Sequence, residues 1–232
     1  MKTGKRRLLM NINRYLLLLV FSLIPALVLG QADDFGIWYG INAEHKLIKK
    51  LDLKLSSDLR TFDNASRVDQ GFIEGGLAYK ISDFLSAAAS YRFTGNLEDD
   101  SRYHIRHKWF SELKGSLPLK DFNLSARLMF QVMKRTYYED ENDKIPDYTG
   151  RTKLKASYKT PKFPVNPYLS IETFSPLFAK SKVPIDKERL SAGLEYKISK
   201  KHAIETGYIL ERFTSRKKNS NHIVSLTYDL SF

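Results

Sequence analysis

Beyond residue 33 apolar and polar side chains alternate with a period of two, in runs of roughly ten residues, the pattern of β-strands with one apolar and one polar face. It is clearest in Phe122–Arg135. Phe122, Leu124, Ala126, Leu128, Phe130 and Val132 share one face, and Asn123, Ser125, Arg127, Gln131 and Arg135 share the other. Leu51–Phe62 repeats it, with Leu51, Leu53, Leu55 and Leu59 against Asp52, Lys54, Ser56, Asp58 and Arg60. Leu85–Thr94 and Gly150–Lys159 do the same.

The pattern predicts strands near 35–45, 51–62, 70–80, 85–94, 102–117, 122–136, 149–160, 165–174, 187–197, 202–213 and 221–232. Connections alternate in length, short at 46–50, 81–84, 118–121, 161–164 and 198–201, longer at 63–69, 95–101, 137–148, 175–186 and 214–220. Short turns at one end and polar loops at the other are the signature of a membrane-spanning barrel, with the short turns facing the periplasm. The expected fold is therefore all-β, an antiparallel up-and-down transmembrane barrel. Eleven segments are one too many or too few for such a barrel, which closes with an even number. Ten to twelve strands are expected, twelve in preference. Phe35–His45 is the segment in question, because it would start at the outer end.

The sequence Gly76-Leu77-Ala78-Tyr79-Lys80-Ile81-Ser82 returns as Gly193-Leu194-Glu195-Tyr196-Lys197-Ile198-Ser199, each copy ending a strand at a short turn. Either duplication or convergence on good hairpin chemistry accounts for it.

Residues 1–30 differ from the rest. Lys2, Lys5, Arg6, Arg7 and Arg14 precede an apolar run from Tyr15 to Leu29. This run is shorter than the roughly 20 residues a membrane-crossing helix needs, and Gly30 and Ala32 are small. The segment reads as a secretory signal peptide, cleaved after Gly30 or Ala32. Residues 33–232 then form a single barrel domain, placed in the cell outer membrane of a Gram-negative bacterium.

Composition narrows the partners. Cysteine is absent, so disulfides, thiolate metal sites and a lipoprotein anchor are excluded. Thirty-three Lys and Arg beyond residue 30 against twenty-six Asp and Glu leave about +7 on the mature chain. In an exported protein this surplus points to outer-membrane lipid phosphates, not to nucleic acid. The spacing of His104 and His107 puts them on opposite sides of a strand, which argues against a shared metal. No cofactor is called for.

The last strand, Asn221–Phe232, places His222, Val224, Leu226, Tyr228, Leu230 and Phe232 on one face. Tyr228, Leu230 and the terminal Phe232 resemble the assembly signal of outer-membrane barrel proteins, and the resemblance implies the barrel assembly machinery as a partner. The whole of 33–232 also resembles a domain-of-unknown-function family of bacterial outer-membrane barrels. The residues that carry the likeness are Ile37-Trp38, Leu59-Arg60, Arg106-His107-Lys108-Trp109, Ala126-Arg127-Leu128, Ile171-Glu172-Thr173-Phe174, Arg189–Tyr196 and Glu205-Thr206-Gly207-Tyr208. That resemblance implies the barrel and brings no activity.

With the apolar face toward lipid, the other face lines a lumen. It would carry Asp58, Arg60, Glu74, Arg92, Arg106, Lys108, Glu112, Arg127, Arg135, Arg151, Lys153, Lys155, Glu172, Arg189, Glu195, Glu205 and Glu211. Opposite charges in so confined a space would pair, since an unpaired buried charge costs several kcal/mol. Two readings follow, a structural Arg–Glu network and a narrow pore favouring small polar or anionic solutes. An outer-membrane lipid-modifying enzyme is the third reading, with Ser101 and His104 or Ser225 and His222 as candidate pairs. A periplasmic lipocalin-like barrel is the fourth, with its apolar face turned inward. The aromatic residues, Trp38 and Tyr168 among them, read as rings at the membrane boundary. Sequencing the exported protein from its N-terminus is expected to start at Gln31 or Asp33; a start at Met1 would refute processing.

Overall fold

The computed structural model describes residues 34–232, except 140, 162, 179–183 and 215–219. The proposed signal peptide and its cleavage points lie outside the described residues. Eleven strands follow in chain order: β1 (Asp34–Ile48), β2 (Leu51–Phe62), β3 (Arg67–Lys80), β4 (Leu85–Leu97), β5 (Tyr103–Leu119), β6 (Phe122–Arg135), β7 (Asp147–Tyr158), β8 (Val165–Leu177), β9 (Lys187–Lys197), β10 (His202–Phe213) and β11 (Ser220–Ser231). A short 3-10 turn, Glu141–Lys144, sits in the β6–β7 loop. Every segment expected from the alternation is a strand, with boundaries moved by at most three residues.

Consecutive strands pair antiparallel, and β1 closes the barrel against β11. The closing pair is parallel, with Asp34–Glu44 in register with Asn221–Ser231. This corrects the expected even count. Evenness is required only when every neighbour is antiparallel, and one parallel seam admits eleven. Phe35–His45 belongs to the wall, and β1 begins at the same long-loop end as β11. Beside the ladder, Asn42 Nδ2 donates to Asp229 Oδ1 at 2.8 Å. The Phe232 amide donates to the Glu44 carbonyl at 2.9 Å.

The repeated heptad marks two copies of one turn. Ile81 and Ser82 amides both donate to the Leu85 carbonyl, and Ile198 and Ser199 amides both donate to that of His202. Ser199 Oγ accepts from the Lys201 and His202 amides, as Ser82 Oγ accepts from Phe84. Serine thus supplies acceptors for amides that the tight turn leaves without a ladder partner.

Alternation sorts the side chains. Leu55, Ile73, Leu77, Leu113, Leu128, Leu154, Leu169 and Leu190 are exposed on the outer wall. A shell of that extent is the reverse of a soluble ligand-binding barrel, which hides its apolar face within. Small residues Gly115, Ala126, Ala156 and Ala192 hollow the outer wall over β5–β10 into an apolar groove of about 970 Å³.

Inside, strands about 4.8 Å apart and tilted by about 40° close on a backbone diameter of roughly 22 Å. Long side chains from opposite walls therefore meet. One joint shows how tightly. Tyr168 on β8 registers with Gly193 on β9, which registers with Gly207 on β10. A Cβ at Gly193 would fall 2.6 Å from the Tyr168 ring, and one at Gly207 would fall 2.6 Å from its hydroxyl oxygen. The ring lies flat on a floor that only glycine leaves free, under the Lys155 ammonium 3.9 Å from its centroid. Gly193→Ala is expected to destabilise the barrel by about 1–3 kcal/mol through overpacking. Denaturant unfolding of the refolded barrel measures this, and Tyr168→Leu in the same background is expected to recover part of the loss.

Candidate functional site

Among the described residues, the lumen holds a dense collection of charge that the fold brings together from distant strands. The seventeen charges assigned to its lining lie on the inward face: Asp58, Arg60, Glu74, Arg92, Arg106, Lys108, Glu112, Arg127, Arg135, Arg151, Lys153, Lys155, Glu172, Arg189, Glu195, Glu205 and Glu211. Contacts that skip strands establish this. Arg127 on β6 reaches Glu172 on β8 at 2.6 Å. Lys155 on β7 reaches Glu205 on β10 at 3.1 Å. Arg189 on β9 lies 4.8 Å over the ring of Trp38 on β1.

These contacts join into a ladder of cations and aromatic rings around most of the girth. Phe174 carries Arg151, Lys187 and Arg189 within 4.7 Å of its centroid. From Arg189 the ladder passes to Trp38, which also stacks on Arg60 at 3.8 Å. Arg60 meets Phe72 at 5.2 Å, Phe72 meets Arg92 at 3.6 Å, and Arg92 meets Phe110 at 5.0 Å. Phe72, Phe110 and Phe174 are buried. Each stacked cation also has a carboxylate: Asp58 for Arg60 at 2.7 Å, Glu74 for Arg92 at 2.6 Å, Glu172 for Arg151 at 2.7 Å. Glu211 serves both Arg189, at 2.5 Å, and Lys187, at 3.4 Å. A guanidinium is held this way because its plane suits a ring face while its edge donates to carboxylate. The barrel is packed, not open, at this level.

Among the described residues only Arg127–Glu172 and Lys155–Glu205 pair past an intervening strand; most others pair with a neighbour, as Arg92 does with Glu74 and Arg60 with Asp58 on its own strand. Arg106 turns to the β4–β5 loop and donates twice to Glu98, at 2.6 and 2.7 Å. Lys108 and Lys153 have no ion-pair partner among the described residues. Near Lys153, Arg127 Nε and Ser170 Oγ are buried without a hydrogen-bond partner. The inner wall therefore carries two lysines outside any ion pair among the described residues, of which Lys108 lies within electrostatic reach of the Asp69 carboxylate. Toward the short turns it widens into a polar vestibule of about 940 Å³, where Glu44, Lys54, Glu195 and Asp229 face one another.

The alternation does not single out the rings of the ladder, and hydropathy places Trp38 and Tyr168 at the membrane boundary. Both point inward. A signal existed for the phenylalanines, each of which sits two residues from a charged group on the polar face. Phe72 precedes Glu74, Phe110 follows Lys108 and Phe174 follows Glu172. Lys187 also belongs to the ladder and was missed.

The two Ser–His pairs do not form. Ser225 hydrogen-bonds the Gly207 carbonyl inside the barrel, at 3.3 Å, while His222 pairs with the Tyr208 hydroxyl on the outer wall. His104 shares a hydrogen bond with Asp100 at 2.7 Å and stacks on Tyr137 at 4.2 Å, with no hydrogen bond to Ser101. That hydrogen bond holds the Asp100 carboxyl below the usual carboxylate range. Across the loops the charge of Asp99 pushes Glu139 upward. His107 faces outward against Tyr91 at 2.6 Å, on the side opposite His104.

Glu172 takes three hydrogen bonds on Oε1, from Arg127 and from both Nε and Nη2 of Arg151. Glu172→Gln leaves Arg151 without its carboxylate and Arg127 with Glu112 alone, at 3.6 Å, in a packed site. A loss of about 3–5 kcal/mol is expected, as when one partner of a buried pair is removed. Denaturant unfolding of the refolded barrel reads it, and an unchanged midpoint would show that the cluster does not brace the wall.

No curated protein matches the chain in sequence. Among solved structures, the β domain of the Bordetella autotransporter BrkA superposes with a TM-score of 0.53 at 12% identity, covering 81% of this chain and 86% of that one. The NanC porin gives 0.52 at 12% identity, over 86% and 99%. LpxR from Salmonella typhimurium gives 0.50 at 9% identity, over 82% and 87%. At such identities the likeness is one of fold, a closed β-barrel. The family described as Protein of unknown function (DUF2490) matches residues 35–222, and the chain belongs to that family.

Proposed function

We propose that this protein is an integral outer-membrane barrel whose lumen is braced shut by its cation–aromatic ladder, and whose lysines outside the ion pairs make small anions the solutes it admits when that ladder loosens. Placement in the membrane is supported by the apolar outer shell, the division into short turns and longer loops, and the barrel fold shared with a porin and an autotransporter β domain. The short-turn end faces the periplasm, and β11, with Tyr228 and Leu230 outward and Phe232 at its end, is the segment the assembly machinery reads.

The observation that carries the closed lumen is the ladder itself, in which buried rings separate stacked arginines where an open channel needs water. What favours anions is the pair of lysines outside any ion pair among the described residues, Lys108 and Lys153, with the free donors Arg127 Nε and Ser170 Oγ beside the second. A positive lining biases passage by charge.

Single-channel recording of the refolded chain in planar bilayers tests the reading. The native protein is expected to be nearly silent. Trp38→Ala combined with Phe174→Ala is expected to raise conductance roughly tenfold or more, with reversal potentials favouring anions by the logic of charged pore linings. Native conductance equal to that of the variant would overturn the closed lumen, and cation preference in the variant would overturn the anion bias.

A further inference from the structure

The short turns share a composition that barrel closure does not require. The first carries Leu47, Ile48, Lys49 and Lys50, all exposed. The second carries Lys80 and Ile81, with Phe84 at 64% exposure. The third carries Leu119, Lys120 and Phe122, and the fourth Lys159 and Phe163. The fifth carries Ile198, Lys200 and Lys201. In all five, exposed lysine stands beside an exposed large apolar side chain. Acids on this rim are few: Asp83, which binds Lys80 at 2.9 Å, and Asp121. The described long loops differ, since β4–β5 and β6–β7 carry Glu98, Asp99, Asp100, Glu139, Glu141 and Asp143.

We infer that the short-turn rim is a docking ring for the phosphates of anionic phospholipids in the facing leaflet. The inference rests on the membrane-barrel reading and names the lipid chemistry that barrel prefers. The geometry suits a lipid surface better than a single dissolved ion. Lysines spread over five turns around a circumference meet many phosphates at once only where phosphates lie in a plane. The apolar neighbours then sit at the level of the acyl chains, while each flexible lysine stem reaches back to the headgroups. Charges close to an anionic surface act additively and are screened by salt.

The test compares spin-labelled phosphatidylglycerol with spin-labelled phosphatidylcholine in bilayers holding the processed chain, residues 33–232. The fraction of motionally restricted label gives the relative affinity of each lipid for the protein. The native chain is expected to select phosphatidylglycerol by about threefold or more at low salt and to lose that selection at high salt. A variant carrying Lys49→Gln, Lys50→Gln, Lys120→Gln, Lys200→Gln and Lys201→Gln is expected to show no selection. None of these five lysines forms an ion pair among the described residues, so heat-modifiable mobility on gels should stay native and certify the fold. Equal affinity of the native chain for the two lipids would overturn the ring. Selection kept by the variant would place anionic lipid elsewhere and leave the lysines to a soluble acidic partner, overturning it as well. A native chain that enters neither vesicle type overturns the membrane reading itself, whereas insertion without selection overturns the ring alone.

Discussion

A closed wall with polar groups on its inner face has nowhere to send their charge, and the structure meets that constraint by giving each stacked cation a carboxylate and a ring. Arg60 has Asp58 and Trp38, Arg92 has Glu74 and Phe72, and Arg189 has Glu211 and Phe174. Carboxylate alone would neutralise charge but leave gaps that water must fill. Ring alone would pack but leave charge unmet, at a cost of several kcal/mol for each ion. The combination does both, and because Arg189 reaches Trp38 across β10 and β11, it also ties the two sides of the parallel seam together from within. Hydrogen bonds close the barrel along the wall, and the ladder closes it through the middle.

The outer surface answers a different demand. Four of the five histidines lie on that wall, each against an aromatic ring of a neighbouring strand: His45 with Phe232, His107 with Tyr91, His202 with Tyr228 and His222 with Tyr208. In three of these pairs a tyrosine hydroxyl meets a ring nitrogen, so two polar groups satisfy each other where the surroundings are apolar. Tyr228, read from the sequence as part of an assembly signal, thereby also has a packing role.

Strand positions were legible because alternation is local. One face of Phe122–Arg135 is apolar in any fold that uses it as a strand, and the inward placement of Arg127 follows from the same parity. The closure was not legible. Whether Phe35–His45 joins the wall depends on its pairing with a strand nearly two hundred residues away, and no local pattern encodes whether that pairing is parallel. The aromatic ladder falls between these cases. Parity put Phe72 and Phe174 on the polar face, but hydropathy alone assigns an aromatic ring to lipid, and only the convergence of Arg60, Arg92 and Arg189 shows why the rings turn inward. The serine–histidine pairs failed for a similar reason: Ser225 and His222, three apart on a strand, must face opposite ways.

The parallel seam also limits how such a chain is altered by evolution or by engineering. A barrel of antiparallel neighbours brings its first and last strands to one end, so a short linker circularises it and hairpins are gained or lost in pairs without disturbing the topology. Here β1 starts at the long-loop end and β11 finishes at the short-turn end. Circular permutation would need a connector running the full height of the barrel, and no exchange of whole hairpins converts this eleven-stranded wall into an even one.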